Sequence, residues 1–416
     1  MRHRETTQAL QDADHAADRE GEMAARTKRR VMELLTRRTA LAALASCAAA
    51  LALGAVTAQA RWVIHGRAFG HGAGMSQYGA YGYAQHGRGY RWILEHYYQG
   101  AVVGTVADGR TIRVLLDDGV DPIRFSGADR ACGRDLRPAR DYRFQRRTDS
   151  VLLKNDAGHR LANCGTAGTA SGGASVALEP GGRYRGKIEG RIGQGAGLAL
   201  INEVGVDGYV QGVVPNEMPA SWAAAALRAQ AVAARSYALA TSVGGSFDVY
   251  DDTRSQVYGG LDSEVAATNA AARDTAGEVV RFDGRIATTY FFSTSGGRTE
   301  SVQFAFPGAE PQPYLKSVRD RYDAISPFHT WTVRYSQGAM ESRLGGLFAG
   351  NLRRIRILET GDSPRIVRAR VVGSGDSSVV SGGTLAARLS LRSTWARFDN
   401  KALGGGGGGG SGGIGG

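Results

Sequence analysis

The chain has 416 residues, 42% hydrophobic and 22% charged, with a formal net charge of +12. That composition is globular, is long enough for about two to three ordinary domains, and excludes a disordered tail protein or a fibre. Glycine is abundant at 60 residues, but eleven of these fall in 404–416 and the rest are dispersed, which excludes a collagen-like repeat.

Residues 1–31 are polar, charged and aperiodic. They read as a gene-model extension ahead of a true start at Met32, or as a cytoplasmic leader. From Thr39 to Ala60 there is no charge; Arg37-Arg38 precede the stretch and Ala58-Gln59-Ala60 close it. A basic flank, an apolar run and small residues before the cut predict a signal peptide over 32–60, cleaved after Ala60, and a secreted or envelope protein. Membrane attachment is expected only through an uncleaved signal or through lipidation at Cys47. Export leaves Cys132 and Cys164, which in an oxidising compartment read as one disulfide. The basic excess carries no long Lys/Arg run, so it suits an anionic envelope surface and not nucleic acid.

Residues 61–103 are rich in Gly, Tyr and His, and 104–195 read as β, beginning with a strand at Thr111–Leu116. A further strand is expected at Leu198–Val204. The main helix is expected to open near Pro219-Ala220-Ser221 and to run to about Ser242, with Gly244-Gly245 as its stop. A second helix is expected over Glu264–Ala276, capped by Ser263 and ended by Gly277. Asp283-Gly284 predicts a tight hairpin between Glu278–Phe282 and Arg285–Phe292. Strands at Arg354–Leu358 and Ile366–Val372 and a helix near Thr384–Leu389 follow, then a glycine tail over 404–416. Helices and strands do not alternate, so the predicted class is α+β: one long Ala-rich helix packed with antiparallel strands and hairpins.

Several motifs fail on inspection. Gly70–Gly79 lacks the third glycine of a dinucleotide loop and any Gly-Lys-Ser/Thr, and Gly74-Met-Ser76-Gln-Tyr78 is not a nucleophile elbow. His65, His71, His86 and His96 lack metal-ligand spacing, so neither a metal nor another cofactor is expected.

Specific residues begin at Asn202. The run through Asp207-Gly-Tyr, Pro215-Asn-Glu-Met-Pro219 and Ala226-Leu-Arg-Ala-Gln-Ala-Val-Ala-Ala-Arg-Ser-Tyr237 closely resembles the core of the SpoIID/LytB family. Asp252–Tyr258, Thr275–Val280, Tyr290–Thr299, Tyr314–Val318 and Ser326–Trp331 continue the resemblance. Gly70-His-Gly-Ala-Gly-Met-Ser-Gln-Tyr-Gly-Ala80 and Ile93–Gly100 look like the family's second signature, here placed before the core in permuted order. A composite domain follows: a signature segment over 61–103, a β-rich region over 104–195 and a core over 196–403.

The resemblance implies cell-wall chemistry. Its best-understood members are sporulation-related lytic transglycosylases acting on peptidoglycan glycan strands; others are called amidase enhancers, which implies a cell-wall amidase as partner. Glu217 falls on the catalytic glutamate. The residues themselves give a parallel reading, because Glu217 sits between Pro215 and Pro219 beside apolar Met218 and Trp222, where desolvation would suit it to general-acid work. The competing structural reading places it only to complement a helix amino end. Gln256, Ser293 and Ser295, with His71, Ser76 and Gln77 from the glycine loop, are the candidate substrate-binding groups. Glu203 and Asp207 read as supporting carboxylates or as solvated or hydrogen-bonded structural groups, and Arg228 and Arg235 as candidates to meet substrate carboxylates or as solvated surface charges. Where some relatives hold zinc with His and Cys, this chain has Tyr290–Ser293 and Thr253–Gln256, so the resemblance carries no zinc here.

Overall fold

The computed structural model describes residues 62–193 and 195–400. The expected signal, its cleavage site, the 1–31 extension and the glycine tail lie outside the described residues. Among the described residues no helix is long and apolar enough to cross a membrane.

Helices and strands are both present in irregular order, which is an α+β architecture. Its centre is an Ala-rich helix at Ala224–Ala240. It is shorter than the sequence suggests: Pro219–Trp222 close a turn ahead of it, with Trp222 N–H donating to the Pro219 carbonyl, and Thr241 ends it in extended conformation. Ala226, Ala229, Ala231, Ala233 and Ala234 are all buried, so alanine is used on every side to admit close neighbours. In chain order the helices around it are α1 (Gln77–Gln85), α2 (Tyr90–Tyr97), α3 (Val206–Glu217), then the central helix itself as α4, and α5 (Ala266–Asp274). Ile93, Leu94, Val210, Val213, Leu227, Val232 and Ala271 form one core, which unites the signature segment with the family core. The helix expected over Glu264–Ala276 is trimmed at both ends. Ser263 does not cap it, because its hydroxyl donates instead to the Gly212 and Gly260 carbonyls.

The tight turn forms as predicted: Asp283 and Gly284 have φ of +47° and +74°, and Phe282 pairs with Arg285. The returning strand stops at Ile286, and Phe291–Phe292 instead run parallel to Met75–Ser76. That short parallel pair ties the glycine loop to the Ser293–Gly297 stretch.

The region 104–195 folds as two sheets on a second core. Strand Leu198–Gly205 pairs with Thr111–Val120 on one side and Lys187–Ile192 on the other, within a seven-stranded sheet. A six-stranded sheet lies across it, and Phe125, Phe144, Val151, Leu153, Ile188 and Leu200 fill the space between. Because Leu198–Gly205 runs directly into α3, the β region and the helical core share a backbone ladder across residue 195. Cys132, after a seven-stranded-sheet strand, and Cys164, after a six-stranded-sheet strand, form a disulfide with a separation of 32 residues. Reduction of that bond is expected to lower unfolding free energy by about 3 to 4 kcal/mol through the released loop entropy. Denaturant titrations with and without reductant check this, and coincident curves would refute it.

The third core joins the first described strand to the last. Trp62–Arg67 lies between Thr330–Tyr335 and Ala396–Asn400, both antiparallel to it. Trp62, Ile64, Met340, Leu352, Ile366, Val371 and Leu385 are buried together there.

Candidate active site

Glu217 is the last residue of α3 and is half-buried. The helix continues through Pro215, and Asn216 Nδ2 donates to the Gly212 carbonyl at 2.8 Å. It ends because Met218 turns extended ahead of Pro219. The alternative reading of a charge at a helix amino end is thereby corrected. Glu217 occupies a carboxyl end, where the helix dipole disfavours an anion.

Two donors from other segments hold the carboxylate. The Val257 N–H donates to Oε1 at 3.3 Å, and Gln77 Nε2, from the first turn of α1, donates to Oε2 at 3.3 Å and to the Glu217 carbonyl at 3.1 Å. Desolvation pushes the Glu217 pKa up, against the pull of these two donors. No other carboxylate contributes to the shift, and among the described residues no cation pairs with Glu217. The group is therefore a lone acid with a raised proton affinity.

The candidate binding residues separate into four sets. Gln77 and Gln256 come to Glu217. Gln256 is buried, accepts from the Tyr209 hydroxyl at 3.0 Å, and precedes the Val257 amide that holds the acid. His71 lines a cavity of 280 Å³ with Thr253, Ser255, Gln256, Tyr237 and Tyr290. Its Nδ1 accepts from the Ala73 N–H, and burial lowers its pKa to about 4, so at neutral pH the ring is uncharged and Nε2–H faces the Phe291 carbonyl. Ser293 is half-buried beside the parallel pair, with its hydroxyl on Thr294. Ser76 and Ser295 are fully buried: Ser76 caps α1 by accepting from the Gly79 N–H, and Ser295 accepts from the Gly297 N–H. Both are positioned to hold the glycine loop, not to meet a ligand.

The other charged candidates are occupied. Glu203 pairs with Lys187, Arg228 with Asp274, and Asp207 with Arg235. Arg235 is completely buried and cannot reach a substrate. Among the described residues no three His, Cys, Asp or Glu side chains cluster as a metal site would require.

Two features escaped the sequence. Trp222 stacks on Tyr81 at 4.5 Å and 7°, and meets Tyr78 edge-on at 4.8 Å. This half-buried aromatic platform is carried partly by α1, the helix that also carries Gln77. Tyr78 and Tyr81 are three apart on α1, a spacing that becomes informative only once that segment is read as a helix.

The second feature is Asp320, which is buried beneath α1 among the hydroxyls of Ser295, Tyr97 and Ser76. Burial, helped by the neighbouring Asp323 charge, raises its pKa from 3.8 to about 7. The folded protein therefore holds a proton there that the unfolded chain releases near pH 4. Stability from this group is complete below pH 4, declines across pH 4 to 7, and is flat above. Asp320→Asn is expected to abolish that decline and to exceed the parent above pH 7 by a few kcal/mol, on the order of 4 at most. Urea titrations at pH 4.5 and 8 test this, and equal pH dependence in both proteins would refute it.

Residues 194–282 match the family model described as stage II sporulation protein, SpoIID, in line with the resemblance to the SpoIID/LytB family. It is 39% identical over 134 residues to the amidase enhancer of Bacillus subtilis strain 168, covering 32% of this chain and 18% of that protein. It is 29% identical over 218 residues to stage II sporulation protein D of the same strain, covering 47% and 62% respectively. The corresponding protein of Bacillus amyloliquefaciens is 32% identical over 169 residues, covering 36% and 48%. The chain thus spans less than two thirds of the length of each of these relatives.

Proposed function

We propose that this chain is an exported lytic transglycosylase that cuts peptidoglycan glycan strands, with Glu217 serving first as general acid and then as general base. The observation that carries the reading is the solitary, desolvated Glu217 carboxyl, held by the Val257 amide and Gln77. Hydrolytic glycosidases need two carboxylates, the second acting as nucleophile or as base for water. One suffices when the nucleophile belongs to the substrate. The protonated Glu217 donates to the glycosidic oxygen as the C1–O bond breaks. The muramyl C6 hydroxyl attacks C1, and the Glu217 carboxylate takes its proton, which closes a 1,6-anhydro ring and restores the acid. Trp222 and Tyr81 offer a flat apolar face to a sugar ring, and Gln256, Ser293 and His71 offer polar groups to its substituents.

Incubating the purified protein with glycan strands, with and without peptide stems, and analysing the products by mass spectrometry tests the proposal. Anhydro-muramyl ends are expected, and their absence on both substrates would overturn it. The 39% identity to a protein named amidase enhancer favours a second reading, a wall-binding module that stimulates a separate amidase. Stimulation of amidase release of stem peptides, with no new anhydro ends, would establish that reading instead.

A further inference from the structure

Several surface arginines are neutralised by ion pairs. Arg91, Arg113, Arg183, Arg185, Arg228 and Arg254 each pair with a carboxylate. Arg88, Arg319 and Arg321 are among the arginines with no ion pair within the described residues; all three are exposed and they converge on one cavity of 340 Å³. Arg88 follows α1, and the other two flank Asp320, whose carboxyl points inward to Gly79 and Tyr97 and leaves their charge uncompensated at the surface.

The floor of this cavity is aromatic. Trp92 and His96, four apart on α2, stack at 5.1 Å and 6°, and Tyr83 closes against both at 5.0 and 4.7 Å. On the other wall, Tyr322 stacks with His86 at 3.8 Å and 15°. The Arg88 guanidinium lies 4.6 Å over the Trp92 ring, which fixes a cation against the aromatic floor. Guanidinium groups match phosphate and carboxylate oxygens, and a rigid aromatic face takes the apolar side of a ring. Cation and ring together recognise a ligand that carries both an anion and a saturated or planar ring. The cavity shares no lining residue with the chamber next to Glu217. Gln77, which holds the acid, and Tyr83, in the cavity, lie six residues or roughly 9 Å apart along α1.

We propose that this cavity is a second binding site for an anionic saccharide, with a sugar ring against the aromatic lining to which Trp92 contributes and its phosphate or carboxylate held by Arg88, Arg319 and Arg321. The choice of a saccharide among anionic ring compounds rests on the wall-directed reading above; the charge and ring requirements do not. The site anchors a charged wall polymer about a helix length from the acid, without taking part in bond cleavage.

Calorimetric titration of the purified protein with three probes tests the site. These are a phosphodiester-linked N-acetylglucosamine oligomer, an oligogalacturonate and neutral chitohexaose. At least one anionic probe is expected to bind, with affinity that falls as salt rises. Replacement of Arg88, Arg319 and Arg321 together by Gln is expected to weaken that binding about tenfold or more, and Trp92→Ala to weaken it severalfold at unchanged salt dependence. Preference for the phosphodiester probe assigns a phosphate ligand, and preference for the uronate assigns a carboxylate. Binding of neither anionic probe, or binding that the triple-Gln protein retains within twofold, overturns the proposal. All three arginines are exposed, so the substitutions do not threaten folding. Glu217→Gln separates the two readings, since it is expected to stop cleavage and keep anionic binding.

Discussion

Glu217→Gln is expected to lower glycan-strand cleavage by about a thousandfold, the upper part of the range that a positioned acid–base group supplies. The substitution conserves shape, and the amide oxygen can still accept from the Val257 N–H, so the loss reports the proton and not the packing. The pH profile adds a second readout. The first step needs the protonated acid, so kcat/KM should fall as pH rises through the raised pKa of Glu217. Gln77 stabilises the ionised form by donating to Oε2. Gln77→Ala should therefore raise that pKa further and move the falling limb to higher pH, beyond any loss from misorientation. A Gln77→Ala profile displaced to lower pH, or a Glu217→Gln protein within tenfold of the parent, would contradict the assigned roles.

The largest expected effect on stability belongs to Arg235. Its guanidinium is buried, pairs with Asp207 at 2.7 Å, and donates to the Glu278 and Ala272 carbonyls at 3.0 and 3.1 Å. One side chain of α4 thus satisfies groups from α3, α5 and the strand Glu278–Phe282. Arg235→Met would leave two buried carbonyls without donors and is expected to cost about 3 to 5 kcal/mol. Arg228→Met, seven residues away on the same helix, removes only an exposed pair with Asp274 and should cost under about 1 kcal/mol. Chemical denaturation of the two variants beside the parent gives the comparison. A similar loss in both would mean that Arg235 acts only through helix propensity.

Composition and local pattern made part of this legible. The Ala-rich helix, the Asp283-Gly284 turn and the apolar strand Leu198–Gly205 are written in short-range sequence, and so were read. Pro-Asn-Glu-Met-Pro marks Glu217 as a candidate in the sequence, but not its place at the carboxyl end of a helix. An interior proline normally argues against a helix, but so near the carboxyl end it removes little, and Asn216 supplies a donor there. α1 stayed hidden because Gly79 and Gly82 interrupt any helical pattern. A side chain at Gly79 would collide with Tyr97 and Asp320, and one at Gly82 with Tyr322. Those glycines answer to residues more than two hundred positions away in two of the three cases, and no local window contains that demand. The partners of Glu217 are non-local for the same reason: Gln77 and Val257 stand 140 and 40 positions from it.

The strand pairing that closes the third core also sets how the molecule bears load. Trp62 lies opposite Asn400 and Gly66 opposite Ala396, so the two ends of the described chain leave side by side from one edge of the sheet. Tension applied between those ends would act across the ladder and not along it, opening the pairs one after another from Trp62–Asn400 inward, as a zipper opens. Tension on a single end, with the body free to follow, would load none of these pairs against each other. A molecule of this design withstands being tethered at one point far better than being stretched between two, and its first element to yield under stretching would be the edge strand Ala396–Asn400, which is paired on one side only.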